Sequence, residues 1–237
     1  MTKAFVFGAT GYTGREVVAS LRRRGIATLA HLRPDSSERT RWIEHFTSRG
    51  AQVDSSPWEL EALTETLRTH APTHVFALLG TTKKRAAREL QGIADPYEAV
   101  DYGLSHLLLQ AALGSGHKPH VTYLSALGVR EGTKNPYLRA RARIEKELEE
   151  SGLPQLIARP AFVTGEDREE KRPAERAAAT LFDGSLKALA ALGMRRPFEA
   201  YASLSGKALG EALVHLALAP DSPRIADARC LRQAALR

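Results

Sequence analysis

A chain of 237 residues with 43% hydrophobic and 26% charged side chains can bury a substantial core, which excludes a disordered chain or a small stapled scaffold. The single cysteine, Cys230, excludes an internal disulfide framework and suits a reducing compartment. A net charge of +7 favours anionic partners, but the basic residues are interspersed with acids and only 6% of the chain is aromatic, so no nucleic acid is expected as partner.

The opening stretch MTKAFVFGATGYTG holds too short an apolar run for a signal peptide. No segment reaches the roughly 20 apolar residues of a spanning helix. The expectation is a cytoplasmic protein without membrane contact. KAFVFGA reads as a first strand, and Val17, Val18 and Leu21 give helical spacing up to a stop at Gly25. IATLAHLR is a second strand, SERTRWIEHFTSRG a helix with Trp42, Ile43 and Phe46 on one side, and AQV a brief third strand.

Ser56, Pro57 and Glu59 have the chemistry of a helix start, with Ser56 as the cap and Leu60, Leu63 and Leu67 as the apolar face that follows. THVFALLG is the fourth strand. Asp95, Pro96 and Glu98 repeat the start signal before AVDYGLSHLLLQAALGSG, and HVTYLSA is the fifth strand. Asn135 and Pro136 open a helix that ends at Ser151 to Pro154, and QLIARP is the sixth strand.

Strand and helix thus alternate, which implies the α/β class with a doubly wound parallel sheet over residues 1–160. Residues 161–237 read as a small C-terminal, substrate-side region of the same domain. They comprise a charged loop, TGEDREEKRPAER, a helix kinked at Gly184, and a final helix capped by Ser205. Phe162, Phe182, Leu186 and Phe198 in this region suit either an apolar substrate cavity or plain core packing.

The first turn carries the strongest chemical signal. In VFGATGYTG, Gly8, Gly11 and Gly14 follow the first strand and open the first helix, with Thr10, Tyr12 and Thr13 between and beside them. One glycine permits the tight turn, a second lets a pyrophosphate approach the backbone, and a third allows close helix packing. At the end of the second strand an acid serves a ribose 2′-hydroxyl, whereas an arginine accommodates a 2′-phosphate. Arg33 stands nineteen residues past Gly14, near Ser36 and Arg39. This favours NADP(H) over NAD(H), with Asp35 as the rival.

Ser125 ends the fifth strand, and Tyr137 begins the next helix twelve residues later with Arg141 one turn further on. In carbonyl reduction, negative charge developing on oxygen must meet a proton donor and a hydrogen-bond partner. A tyrosine donates, and a fixed cation one turn along favours its phenolate. Against this stand plainer readings: Tyr137 packed on the sheet, Arg141 paired at the surface with Glu145 one turn on, Ser125 as an ordinary strand-end serine, and Arg139 and Arg143 solvated. The histidines show no paired metal-ligand spacing, and no metal is expected.

The runs GATGYTG, LLGTTKKRA, AVDYGLSHLLLQAA, YLSALGV, YLRARARIEKEL and ARPAFVTGE together resemble the short-chain dehydrogenase/reductase superfamily in its atypical or extended branch. Within it the sequence is most similar to the Tat-interacting-protein-like oxidoreductases, near the NmrA-like proteins. The resemblance implies that Gly8, Gly11 and Gly14 form the cofactor turn, that Arg33 contacts the 2′-phosphate, and that Leu79, Gly80 and Thr81 lie beside the ribose and pyrophosphate. It makes Ser125 the carbonyl-positioning residue, Tyr137 the acid and Pro160 part of the nicotinamide wall, and it allows a homodimer while leaving the oligomeric state open.

Two departures stand out. Arg141 replaces the lysine of the pattern and cannot enter a proton relay as lysine can, and VDSSPW departs from the pattern at the adenine contact. The expected function is an NADP(H)-dependent oxidoreductase acting on a small carbonyl or alcohol. The alternatives are a non-catalytic NADP-binding regulator and a sugar-nucleotide epimerase or dehydratase.

Overall fold

The computed structural model describes residues 1–81, 94–164 and 203–236. The expected kinked helix around Gly184, most of the charged loop, the residues after Thr81 in the LLGTTKKRA run, and Phe182, Leu186 and Phe198 lie outside the described residues. In chain order the elements are β1 (Lys3–Phe7), α1 (Tyr12–Arg23), β2 (Ala27–His31), α2 (Arg39–Thr47), β3 (Gln52–Asp54), α3 (Leu60–His70) and β4 (His74–Ala77). A π-helical segment (Tyr97–Leu104) runs on as α4 (Ser105–Gly114), followed by β5 (His120–Leu124), α5 (Pro136–Glu150), β6 (Gln155–Arg159) and β7 (Val163–Thr164). Beyond residue 202 come β8 (Leu204–Ser205), α6 (Gly206–Leu218), β9 (Ile225–Asp227) and α7 (Ala228–Ala234).

The main sheet is seven-stranded and parallel, in the order β3-β2-β1-β4-β5-β6-β9. The chain order reverses between β1 and β4, which puts the crevice for a ligand at the C-terminal ends of those strands. Period-two alternation sends neighbouring residues to opposite faces. Ala4, Val6, Ala30, Leu156 and Ala226 pack under α1, α2, α6 and α7. Phe5, Phe7, Leu29, Val75, Val121 and Tyr123 pack under α3, α4 and α5. The doubly wound α/β architecture expected from the alternation is the one observed.

Several local expectations hold because the interactions are short-range. Asn135 accepts from the Leu138 amide at 3.3 Å and Ser205 from the Ala208 amide at 3.1 Å, so both cap as expected. Asp95 accepts from the Tyr97 and Glu98 amides at 3.0 and 3.1 Å, although the segment it opens is π-helical rather than α-helical. Ser56 does not cap α3, which begins at Leu60 with Glu59 at the N-cap. Its amide and hydroxyl both turn back to Asp54 Oδ1, at 3.0 and 2.5 Å, because an aspartate two residues upstream is the nearer acceptor.

α6 is not the last element. β9 returns to hydrogen-bond with β6 at the sheet edge, and Asp227 accepts from the Cys230 amide at 2.8 Å to cap α7. α6 lies close along α1 because side chains are missing where the helices meet. A Cβ on Gly206 would fall 2.5 Å from the Tyr12 ring, and one on Gly210 would fall 2.7 Å from Glu16 Cβ. Glu211 secures the contact by accepting from Ser20 Oγ at 2.8 Å, from Arg24 Nη1 at 2.7 Å and from Arg23. β7 and β8 form a separate parallel pair, and Thr164 Oγ1 donates to Ser203 Oγ at 3.0 Å beside it.

Candidate active site at the C-terminal edge of the sheet

The glycine-rich turn has the geometry its sequence implies. Gly8 has φ +79°, and a Cβ there would stand 2.5 Å from the Leu78 carbonyl oxygen on the neighbouring strand, so only glycine fits at that place. The Gly11 amide donates to Gly8 O at 3.0 Å and closes the turn. A Cβ on Gly14 would overlap Gly8 O and lie 2.8 Å from Ala9 Cα.

α1 starts at Gly11 with no side chain capping it, the arrangement in which first-turn amides and the positive helix end receive a phosphate. The cradle thus fits a dinucleotide pyrophosphate: Gly8 permits the turn, Gly14 lets the first turn of α1 pack on it, and Gly11 would give the phosphate its close approach. Thr13 is buried in the first turn. Thr10 lies in the loop between Gly8 and Gly11. Tyr12 turns its ring onto Gly206, and its hydroxyl donates to Thr164 O at 3.3 Å.

Arg33 lies in the exposed loop after β2, its Nε 3.9 Å from Asp35 Oδ1. The two rival selectors of the 2′-position are therefore neighbours. Two more guanidinium groups, Arg15 of α1 and Arg41 of α2, lie against the Trp42 ring with Cζ at 5.5 and 5.0 Å from its centroid, and Arg41 also pairs with Glu38 at the end of this loop. His31, at the end of β2, is buried, stacks on Phe7 at 4.9 Å and bonds Ser56 O through Nε2 at 2.9 Å. Burial pushes its pKa down, so it stays neutral.

The second half of the site converges on Arg141. The residue is buried, 4% exposed, between the ends of β4 and β5. Nη2 donates to Asp101 Oδ1 at 2.7 Å and to Leu79 O at 3.1 Å, and Nη1 donates to Leu124 O. Asp101, fully buried on the π-helical segment, accepts the Thr81 amide on its other oxygen at 2.9 Å. Gly80 between them has no side chain, and a Cβ there would fall 2.5 Å from Arg141 Nη2. Burial pushes the Asp101 carboxyl up, against the pull of Arg141 and the Thr81 amide. Burial alone would lower the Arg141 pKa, but Tyr123, Tyr137 and Asp101 carry it above the ordinary value, so the guanidinium remains charged.

Arg141 is therefore neither at the surface nor paired with Glu145. Glu145 is itself buried and accepts from Arg159, with Nε at 3.1 Å, and from Ser125 Oγ. Ser125 thus donates its hydroxyl hydrogen bond to a carboxylate. Pro160 is buried next to it and accepts from the Leu127 amide at 2.9 Å.

Tyr137 is half-buried at the start of α5, with the Arg141 guanidinium carbon 5.1 Å from its ring centroid and Tyr97 edge-on at 5.5 Å. Arg139 and Arg143 are exposed and face Asp95 at 3.6 Å and Glu98 at 2.5 Å. The structure thus gathers Leu79, Gly80, Thr81 and Arg141 around Asp101, with Tyr137 over Arg141. It separately joins Ser125 to Glu145 and Arg159. Neither Asp101 nor Glu145 stands out in the sequence, beyond Asp101 being a lone acid in the apolar run AVDYGLSHLLL.

Comparison with known proteins agrees with this geometry. A profile of the NAD(P)H-binding family matches residues 8–191. The chain is 30% identical over 192 residues to the mitochondrial protein fmp52-1 of Aspergillus terreus, covering 75% of this chain and 73% of that protein. It is 35% identical over 151 residues to the chloroplastic divinyl chlorophyllide a 8-vinyl-reductase of Oryza sativa subsp. indica, covering 62% of this chain and 35% of that protein. In fold it resembles UDP-glucose 4-epimerases from Brucella ovis, with TM-score 0.64 and 16% identity over 98% of this chain and 81% of that one, and from Thermotoga maritima, with TM-score 0.62 and 18% identity over 92% and 73%. With a glycine cradle shaped for a dinucleotide and a family match over most of its length, the chain belongs to the NAD(P)H-binding family and has its Rossmann-type α/β fold.

Proposed function

We propose that this protein is an NADP(H)-dependent oxidoreductase acting on a small carbonyl or alcohol, with Tyr137 as the acid. The observation that carries the reading is the half-buried Tyr137 ring above the Arg141 cation, at the strand ends onto which the glycine turn also opens. Bound nicotinamide would supply or accept the hydride. Tyr137 gives the proton from its hydroxyl to the substrate oxygen, with its ring held over Arg141. To hold a carbonyl, Ser125 must turn its hydroxyl away from Glu145. Arg33, with Arg15 and Arg41 on the flanking helices, supports the phosphorylated cofactor over NAD(H). The reductase named among the relatives supports a reduction, whereas the epimerase likenesses carry only the fold.

A second reading is a cofactor-binding regulator without chemistry. It is favoured by the same bonds that occupy Ser125 and Arg141. Turnover of NADPH against a carbonyl panel decides between them. The first reading expects activity that Tyr137→Phe lowers by about 100-fold or more while NADPH binding is kept and stays tighter than NADH binding. NADPH binding with no oxidation on any carbonyl supports the regulator.

A further inference from the structure

Three acceptors from three different elements hold the two terminal nitrogens of Arg141: Leu79 O beyond β4, Leu124 O on β5 and Asp101 on the π-helical segment. Asp101 reaches back to the Thr81 amide, so carboxylate and guanidinium together bracket the Leu79–Thr81 backbone. The guanidinium lies against Gly80, where a Cβ would meet Nη2 at 2.5 Å and Asp101 Oδ1 at 3.2 Å. With side-chain exposures of 5% and 0%, the pair is enclosed by protein. A buried cation without its anion is strongly destabilising, so the arginine is tolerated here only with Asp101 beside it.

We propose that Asp101 is a positioning residue: with Leu79 and Leu124 it holds the Arg141 guanidinium inward, so that Arg141 fixes the Leu79–Thr81 backbone and supports the Tyr137 ring, while the dinucleotide makes no hydrogen bond to it. This rests on reading the crevice as the cofactor site. The lysine-like role that sequence spacing suggests for Arg141 is then replaced by that of an internal latch. The charges of the latch cancel, and Tyr137 meets the guanidinium over its ring face.

The test compares Asp101→Asn, Arg141→Gln and the double variant by apo melting temperature, NADPH titration without substrate, and turnover. Each single variant is expected to lower the melting temperature by about 10 °C, and the double variant to recover at least half of that loss, since it leaves no unpaired charge. NADPH affinity should stay within about threefold of wild type in every folded variant. In the double variant kcat should fall about tenfold or more with the cofactor KM within about threefold, a split that mere destabilisation does not produce.

Should a single variant not fold, the double variant still must, and it still reports affinity and kcat. A loss of NADPH affinity of about tenfold or more in Arg141→Gln at an unchanged melting temperature overturns the proposal by making Arg141 a direct cofactor ligand. Additive melting losses in the double variant overturn it as well. If wild type binds NADPH but turns nothing over, the oxidoreductase reading fails while melting and affinity still decide the latch.

Discussion

Gly11→Ala separates folding from cofactor binding at the glycine turn. Gly11 sits at φ −69° and ψ 163°, which alanine adopts without strain. Its added Cβ would meet only Gly8 O, at 3.1 Å. Relief of unfolded-chain entropy contributes about 0.4–1 kcal/mol in favour of alanine, and the tight contact offsets part of it, so the net change in stability stays within about 1 kcal/mol. The same methyl group projects where a pyrophosphate must approach the backbone. Displacing one or two charge-assisted bonds of about 1.5–3 kcal/mol each weakens binding by about tenfold at the least and about 10⁴-fold at the most.

Gly14→Ala is the contrasting variant, because its Cβ runs into the backbone of Gly8 and Ala9 and the turn must move, at a cost of about 3 kcal/mol or more. Thermal unfolding followed by NADPH titration of each variant reads both quantities. Gly11→Ala protein that melts like wild type and binds NADPH within about twofold of wild type would refute the assignment of this turn to the pyrophosphate.

Two further predictions concern acid stability. Burial would raise the Glu211 carboxyl, but hydrogen bonds from Arg24, Ser20 and Arg23 hold it down to about 2. Its contribution is thus present above the ordinary carboxylate pKa of 4.5 and lost as pH falls from there toward 2. Glu211→Gln should remove at most about 3 kcal/mol at neutral pH, and unfolding curves should show the variant and wild type converging in acid. Burial, then His74, lowers His120 from 6.5 to about 4. The unfolded chain therefore takes up that proton first, and stability falls as pH drops from 6.5 toward 4. His120→Gln should flatten urea-denaturation midpoints across that interval, and an unchanged slope would show that another group sets it.

How much of this was legible in the sequence depended on how far apart the partners lie. The strand–helix alternation, the glycine turn and the caps at Asn135 and Ser205 rest on contacts within a few residues, and sequence spacing reports those directly. Ser56 was misread although its partner is also local, because the same serine suits a cap and an aspartate turn, and Asp54 is the closer acceptor. β9 has three residues and becomes a strand only by pairing with β6, so no local pattern marks it. Asp101 and Arg141 are forty residues apart in sequence. Spacing placed Arg141 one turn from both Tyr137 and Glu145 but could not show which way its guanidinium turns, and burial between two strand ends decides that.

The pairing of β7 with β8, reinforced by Thr164 to Ser203, has a consequence for how chain length can vary. Thr164 and Ser203, thirty-nine residues apart in sequence, lie 3.0 Å from each other between their hydroxyl oxygens. Thr164 and Ser203 thus form a closed neck. Closure entropy rises only slowly with loop length, so segments of quite different size can be exchanged at this neck while the parallel sheet, the glycine turn and the α1–α6 contact keep their places. The length of chain between these two adjoining residues is thereby separable from the geometry of the cofactor turn.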